Sequence, residues 1–99
     1  MPDAGRATAS ADPDVGDVVV TVGDVLAAQA RLRRYLDVTP THYAERFGCW
    51  LKLENLQRTG SYKVRGALNA LLVARERGDE RTVICASAGN HAQGVAMSA

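Results

Sequence analysis

The chain predicts an α/β fold built on a parallel sheet, and three observations carry that prediction. First, residues 49–99 read in the order strand, helix, strand, helix, the pattern of βαβ units. Second, the helix between the strands has a clean apolar stripe: Val64, Ala67, Leu68, Leu71 and Leu72 fall at offsets 0, 3, 4, 7 and 8. Third, Thr82–Ala86 (TVICA) is wholly apolar after its first residue. Such a run fits a parallel strand covered on both faces.

The elements follow in order. Residues 1–17 are mostly Ala, Asp, Gly, Pro and Ser with little to bury, and are expected to be a disordered tail. The domain is expected over 18–99. Thr21 with Asp24 resembles a capping pair, Asp being the weaker partner at that place. Val22, Val25, Leu26, Leu32 and Leu36 then mark one side of a helix running to about Leu36. Arg31, Arg33 and Arg34 lie near its C-terminal end, where positive charge suits the dipole, and read as a solvated face. Asp37–Pro40 is a break, with Thr39 biased toward extended backbone by Pro40. A strand is expected at Cys49–Leu53, a polar loop at Glu54–Gly60, and a helix over Ser61–Arg77 stopped by Gly78. After the second strand, Ser87–His91 is a small polar turn leading into a helical start at Ala92–Ala99. Ligands of parallel sheets bind beyond the carboxyl ends of the strands. The loops after both strands meet that edge, and both are polar.

Bulk composition removes several classes. Ninety-nine residues make one small domain, and 46% apolar content allows a core. A net charge of +1 provides no field for nucleic acid or an acidic membrane. With only five aromatics, no basic-aromatic platform for single strands recurs. Cys49 and Cys85 stand apart, without His-x-x-x-His or Cys-x-x-Cys spacing, so no metal is expected and both read as reduced thiols. No apolar run approaches the ~18 residues of a membrane span. The acidic N-terminus lacks the apolar stretch of a signal peptide. A soluble cytoplasmic protein is the expectation.

Lys63 lies in the first turn of its helix, where the dipole disfavours a cation by about 1 kcal/mol or less. Arg65 adds a second positive charge. Both favour the neutral amine that condensation with a carbonyl requires. The residues around it are far more specific. Residues 51–68 read LKLENLQRTGSYKVRGAL. The string resembles the lysine motif of fold type II pyridoxal-phosphate (PLP) enzymes, in the serine/threonine dehydratase branch. Lys52, Glu54, Gln57, Thr59, Gly60, Ser61, Tyr62, Lys63, Arg65, Gly66 and Ala67 all match it. The cysteine synthase branch tends to have Asn-Pro before the glycine and Asp after the lysine, unlike Gln57-Arg58-Thr59 and Val64-Arg65. Ser87-Ala88-Gly89-Asn90-His91-Ala92-Gln93-Gly94 looks like the family's second signature, at a helix start that suits an anion. Thr39-Pro40 resembles its Thr-Pro-Leu, with Thr41 in place of the Leu. The departure is minor for chemistry, and His42 beside it reads as a surface residue.

The resemblance implies a truncated, tryptophan synthase β-like domain with PLP as cofactor and Lys63 as its covalent anchor. It places Tyr62 against the cofactor and Asn90 on the ring hydroxyl. It sets Ser87, Ala88, Gly89, Asn90 and His91 around the substrate carboxylate. The implied reaction is loss of the β-hydroxyl from L-threonine or L-serine, giving 2-oxobutanoate or pyruvate plus ammonia, with free Lys63 as the base. Serine racemases of this family tend to have a second serine where Ala88 stands. Ala88 has no proton to deliver from the opposite face, which favours elimination. The partner expected is a small amino acid, and the parent enzyme is expected to be a homo-oligomer with a role in amino-acid metabolism. A threonine dehydratase would place it in isoleucine biosynthesis.

Two features weigh the other way. No glycine-rich phosphate cradle occurs, and the chain stops within its last predicted helix. A fragment, inactive alone, is therefore expected. The alternatives are a non-catalytic remnant and a racemase-like PLP enzyme. A nucleotide-binding module is disfavoured, because Gly60-Ser61-Tyr62-Lys63 lacks phosphate-loop spacing.

Overall fold

The computed structural model describes residues 18–99. The tail expected at 1–17 lies outside the described residues. The first helix, α1, is Val22–Leu32, four residues shorter than its apolar pattern predicts. It starts where the capping pair places it. The Asp24 N–H donates to Thr21 Oγ1 (3.2 Å) and the Thr21 N–H donates to Asp24 Oδ2 (2.8 Å). These reciprocal bonds satisfy two donors that a helix start leaves free. They hold the Asp24 carboxyl below its ordinary range, the backbone bond from Thr21 contributing most.

The stripe on α1 is only half used. Leu32 is buried, and so is Leu36 in the turns beyond the helix; Val22, Val25 and Leu26 are exposed. Among the described residues it is the C-terminal end of α1 that is buried, at Leu32. There Arg31 departs from the solvated-face reading. Its Nε donates to both carboxylate oxygens of Glu76 (3.2 Å each), while Arg33 and Arg34 are exposed as expected.

A strand the pattern misses follows the break. β1 (Thr41–Ala44) pairs antiparallel with β2 (Cys49–Lys52), in register Thr41↔Lys52 through Ala44↔Cys49. A short 3-10 turn, Glu45–Phe47, joins them, and Gly48 ends it in the left-handed region (φ 62°). Tyr43 and Trp50 face each other across the pair, ring centroids 5.3 Å apart. Both cysteines are free and exposed, Cys49 on β2 and Cys85 outside any strand.

The central helix, α2, is Lys63–Glu76. Its stripe buries Val64, Ala67 and Leu68, with Leu71 and Leu72 half-buried. Val64 is fully buried and sits in one cluster with Leu32, Leu36 and Leu68. Each such side chain contributes about 1.5–3 kcal/mol. Gly78 stops the helix as predicted. At φ 74° it lets the Asp79 N–H reach back to the Ala74 carbonyl (2.9 Å) and its own N–H reach that of Arg75 (3.0 Å).

The second predicted strand does not pair. Thr82–Ala86 belongs to no sheet, and the one sheet among the described residues is the antiparallel β1–β2 pair. Ile84 is 89% exposed. The apolar run is present, but no described strand lies beside it to complete a ladder. The last helix, α3, is Asn90–Ser98 and begins two residues earlier than predicted. Its main packing partner is α2. The result is a mixed helix–strand partial domain.

Candidate active site

The loop from β2 to α2 is pinned by the motif residues that flank Lys63. A 3-10 turn at Glu54–Leu56 presents the Glu54 carboxylate to α2. Glu54 Oε1 accepts from Arg65 Nε (2.7 Å) and from Thr39 Oγ1 (3.1 Å). Only 15% of its side chain is exposed. Burial raises its pKa. The hydrogen bonds from Arg65 and Thr39, with the charges of Arg65 and Lys52, outweigh that and leave it below the ordinary carboxylate range. The Lys52 ammonium donates to the Thr39 carbonyl. Gln57 is buried and donates to the Asp37 carbonyl (3.1 Å), and Arg58 donates to that of Tyr35 (3.2 Å). The loop is thus tied at several points to the segment between α1 and β1.

The turn into α2 requires a glycine. Gly60 sits at φ 77°, and its N–H donates to the Gln57 carbonyl (2.7 Å). Buried Ser61 then does the work of a cap. Its Oγ accepts the Lys63 N–H (3.3 Å), while Tyr62, the N-cap residue, makes no side-chain cap bond.

Lys63 is therefore the first residue of α2, exposed, with its Nζ 5.4 Å from the centre of the Tyr62 ring. No hydrogen bond to Lys63 Nζ occurs among the described residues. Helix α3 meets the start of α2 through a backbone contact. A Cβ on Gly94 would lie 3.1 Å from both Val64 Cα and Val64 N, and 3.2 Å from the carbonyl carbon of Lys63. Gly94 is four residues after Asn90, so the start of α3 is about 6 Å along the axis from that contact. Ser87, Ala88, Gly89, Asn90 and His91 are all exposed there. The Gly89 N–H donates to Ser87 Oγ (3.3 Å). A Cβ on Gly89 would meet nothing within 4 Å, so packing within this chain is not what calls for glycine there.

The sheet edge at which the two loops were expected to converge does not form among the described residues; the contact present is between α2 and α3, at Gly94. The sequence pattern gave no role to Lys52, Glu54 and Gln57, and read Arg65 only as a charge near Lys63; together they form the frame of the loop. The only signal for them was their place in the motif. A hollow of about 530 Å³ lies elsewhere, between α2, α3 and the unpaired run, lined by Leu72, Arg75, Arg81, Val83, Cys85 and Val95 among others. Lys63 is not among its lining residues.

The family model described as "Pyridoxal-phosphate dependent enzyme" matches residues 32–99. The chain belongs to this family. Among curated relatives of this PLP-enzyme chain, the L-threonine ammonia-lyase of Thermotoga maritima is 41% identical over 87 residues. That alignment covers 82% of this chain and 22% of the relative. A catabolic L-threonine dehydratase of Staphylococcus aureus is 40% identical over 88 residues, covering 82% of this chain and 25% of the relative. A solved PLP-dependent aspartate racemase superposes with a TM-score of 0.73 at 38% identity, over 85% of this chain and 29% of that one. The chain thus spans about a quarter of the length of these relatives.

The family's cofactor, pyridoxal 5'-phosphate, is an aldehyde and needs an unengaged primary amine. The residues present fit that end of it. Lys52 and Lys63 are the chain's two lysines. Lys52 is occupied by the Thr39 carbonyl, and Lys63 has an open Nζ beside an aromatic ring and a helix start.

Proposed function

We propose that this chain carries the cofactor-anchoring part of a PLP-dependent lyase that eliminates the β-hydroxyl of L-threonine or L-serine, releasing 2-oxobutanoate or pyruvate and ammonia. The single observation that carries the reading is Lys63, exposed as the first residue of α2, where α3 packs backbone to backbone through Gly94. The threonine ammonia-lyase relatives support the substrate class.

When bound, PLP supplies the electron sink for carbanion chemistry. Lys63 would hold it covalently, and Tyr62 and Asn90 would help to hold it in place. The Lys63 amine would also serve as the base for the substrate's α-proton. Ser87, Ala88, Gly89, Asn90 and His91 receive the substrate carboxylate, where the start of α3 offers free N–H donors. The substrate is a small amino acid, and the assembled enzyme is a cytoplasmic homo-oligomer.

The aspartate racemase neighbour favours a second reading, racemisation of an amino acid. Ala88 speaks for elimination, since a methyl group cannot hand a proton to the face opposite Lys63.

Borohydride trapping with PLP tests the anchor. Intact mass and peptide mapping are expected to show one adduct, at Lys63, absent in Lys63→Ala. Equal labelling of Lys52 and Lys63 would refute the assignment. In the protein that carries the activity, L-threonine is expected to yield 2-oxobutanoate. Interconversion of amino-acid enantiomers without keto acid would instead establish the racemase.

A further inference from the structure

The chain has two side-chain amines that could condense with an aldehyde, eleven residues apart in sequence, and the structure treats them differently. Lys52 ends β2 and donates to the Thr39 carbonyl. The charge of Lys52 also acts on the Glu54 carboxylate, which is held by Arg65 and Thr39. Arg65 lies on the first turn of α2, two residues beyond Lys63. One small cluster therefore occupies one amine and fixes the helix start that presents the other. Glu54 Oε2, buried and without a hydrogen-bond partner, adds acceptor capacity on the same carboxylate.

We propose that the Thr39–Lys52–Glu54–Arg65 cluster is the selectivity device of the site: it withdraws Lys52 from reaction with aldehydes and leaves Lys63 as the reactive amine. Glu54 and Arg65 are positioning residues, not catalytic ones. This rests on the reading of Lys63 as the anchor but concerns a separate property, the relative reactivity of two lysines.

The physical basis is simple. Condensation needs the nitrogen lone pair: the amine adds to the aldehyde, a C=N bond forms and water leaves. An ammonium held by a carbonyl oxygen must break that bond and lose a proton first. Hydrogen bonds involving a charged group are about twice as strong as neutral ones. Losing one slows Lys52 by about tenfold.

Reductive methylation of the full chain with formaldehyde and cyanoborohydride measures this directly. Formaldehyde lacks the ring and phosphate, so it reports amine availability and not cofactor recognition. Cyanoborohydride delivers hydride to the imine carbon, and water protonates the nitrogen. The rate ratio Lys63:Lys52 is read by peptide mapping, with the chain in 6 M guanidinium as the reference. The folded chain is expected to raise that ratio about tenfold over the reference. Glu54→Gln, which keeps shape and removes charge, is expected to bring it back to within about twofold of the reference, with helical circular dichroism unchanged. Glu54→Asp, which restores the charge, is expected to recover it in part. Arg65→Gln provides a second route to the same loss.

Equal folded and denatured ratios in the unmodified chain overturn the proposal whatever the variants do. A ratio that stays high in both helical variants, Glu54→Gln and Arg65→Gln, overturns the role of the cluster. A high formaldehyde ratio, lost in Glu54→Gln, together with unselective PLP trapping would uphold the cluster and refute the cofactor anchor, so the two readings fail separately.

Discussion

Placing a single methyl group at Gly94 tests how α2 and α3 are held together. The Cβ of Gly94→Ala would lie 3.1–3.2 Å from three backbone atoms of Lys63 and Val64. Carbon atoms in contact sit about 3.5–4.0 Å apart. The shortfall is about 0.3–0.9 Å, and backbone atoms in a helix start cannot rotate out of the way as a side chain can. The two helices must separate, at a cost of about 1–3 kcal/mol. Alanine returns about 1 kcal/mol through helix propensity. The net expectation is a destabilisation of about 0–2 kcal/mol.

Gly66→Ala is the matched control. It lies in α2, and a Cβ there meets nothing within 4 Å. It is expected to stabilise the chain by about 0.5–1 kcal/mol. Urea unfolding of the full chain, followed by helical circular dichroism, gives both values. The contrast between the variants, about 1–3 kcal/mol, isolates the close approach from helix propensity. Equal shifts of the same sign would refute the claim that Gly94 sets the spacing of α2 and α3.

Two further predictions concern the loop before Lys63. Gly60→Ala meets no neighbour but must adopt φ 77°, so it is expected to cost about 1–2 kcal/mol by strain alone, measured by the same unfolding; an unchanged midpoint would show that the turn relaxes freely. The Glu54 carboxyl is held below its ordinary value of 4.5. Between its folded and unfolded pKa values the unfolded chain binds the extra proton, so the contribution of Glu54 is full above about pH 4.5 and is lost as pH falls through the folded value. The stability difference between the unmodified chain and Glu54→Gln is expected to shrink on acidification toward about pH 3. A difference constant across that range would remove Glu54 from the frame.

The sequence was most legible where a local rule acts alone. The Thr21–Asp24 capping box, the Val64–Leu68 stripe and the Gly78 stop all depend on neighbours within one or two turns, and all three form. β1 was hidden because Thr41-His-Tyr-Ala has no apolar alternation and is mostly exposed; its partner β2, not its composition, makes it a strand. Thr82–Ala86 failed for the opposite reason. Its composition suits a strand, but pairing depends on a neighbour elsewhere. Tertiary context also decides α1, whose first apolar residues are exposed. At the site, the lysine and the two loops were readable from motif strings. The ion pair of Glu54 with Arg65, and the backbone contact at Gly94, join residues 11 and about 30 positions apart, and no periodicity encodes such meetings.

The run Thr82–Ala86 has a consequence for how copies of the chain behave toward one another. Its residues belong to no ladder, and its side chains are apolar and partly β-branched. Backbone N–H and C=O groups left without partners form a template for extended segments. As chains crowd together, the cheapest partner for that template is the same segment of another copy, in a stacking that needs no agreement between the rest of the two molecules. Ile84, pointing into solvent, would then become the seam between them. Dilution, or a charge placed at Ile84, works against that seam.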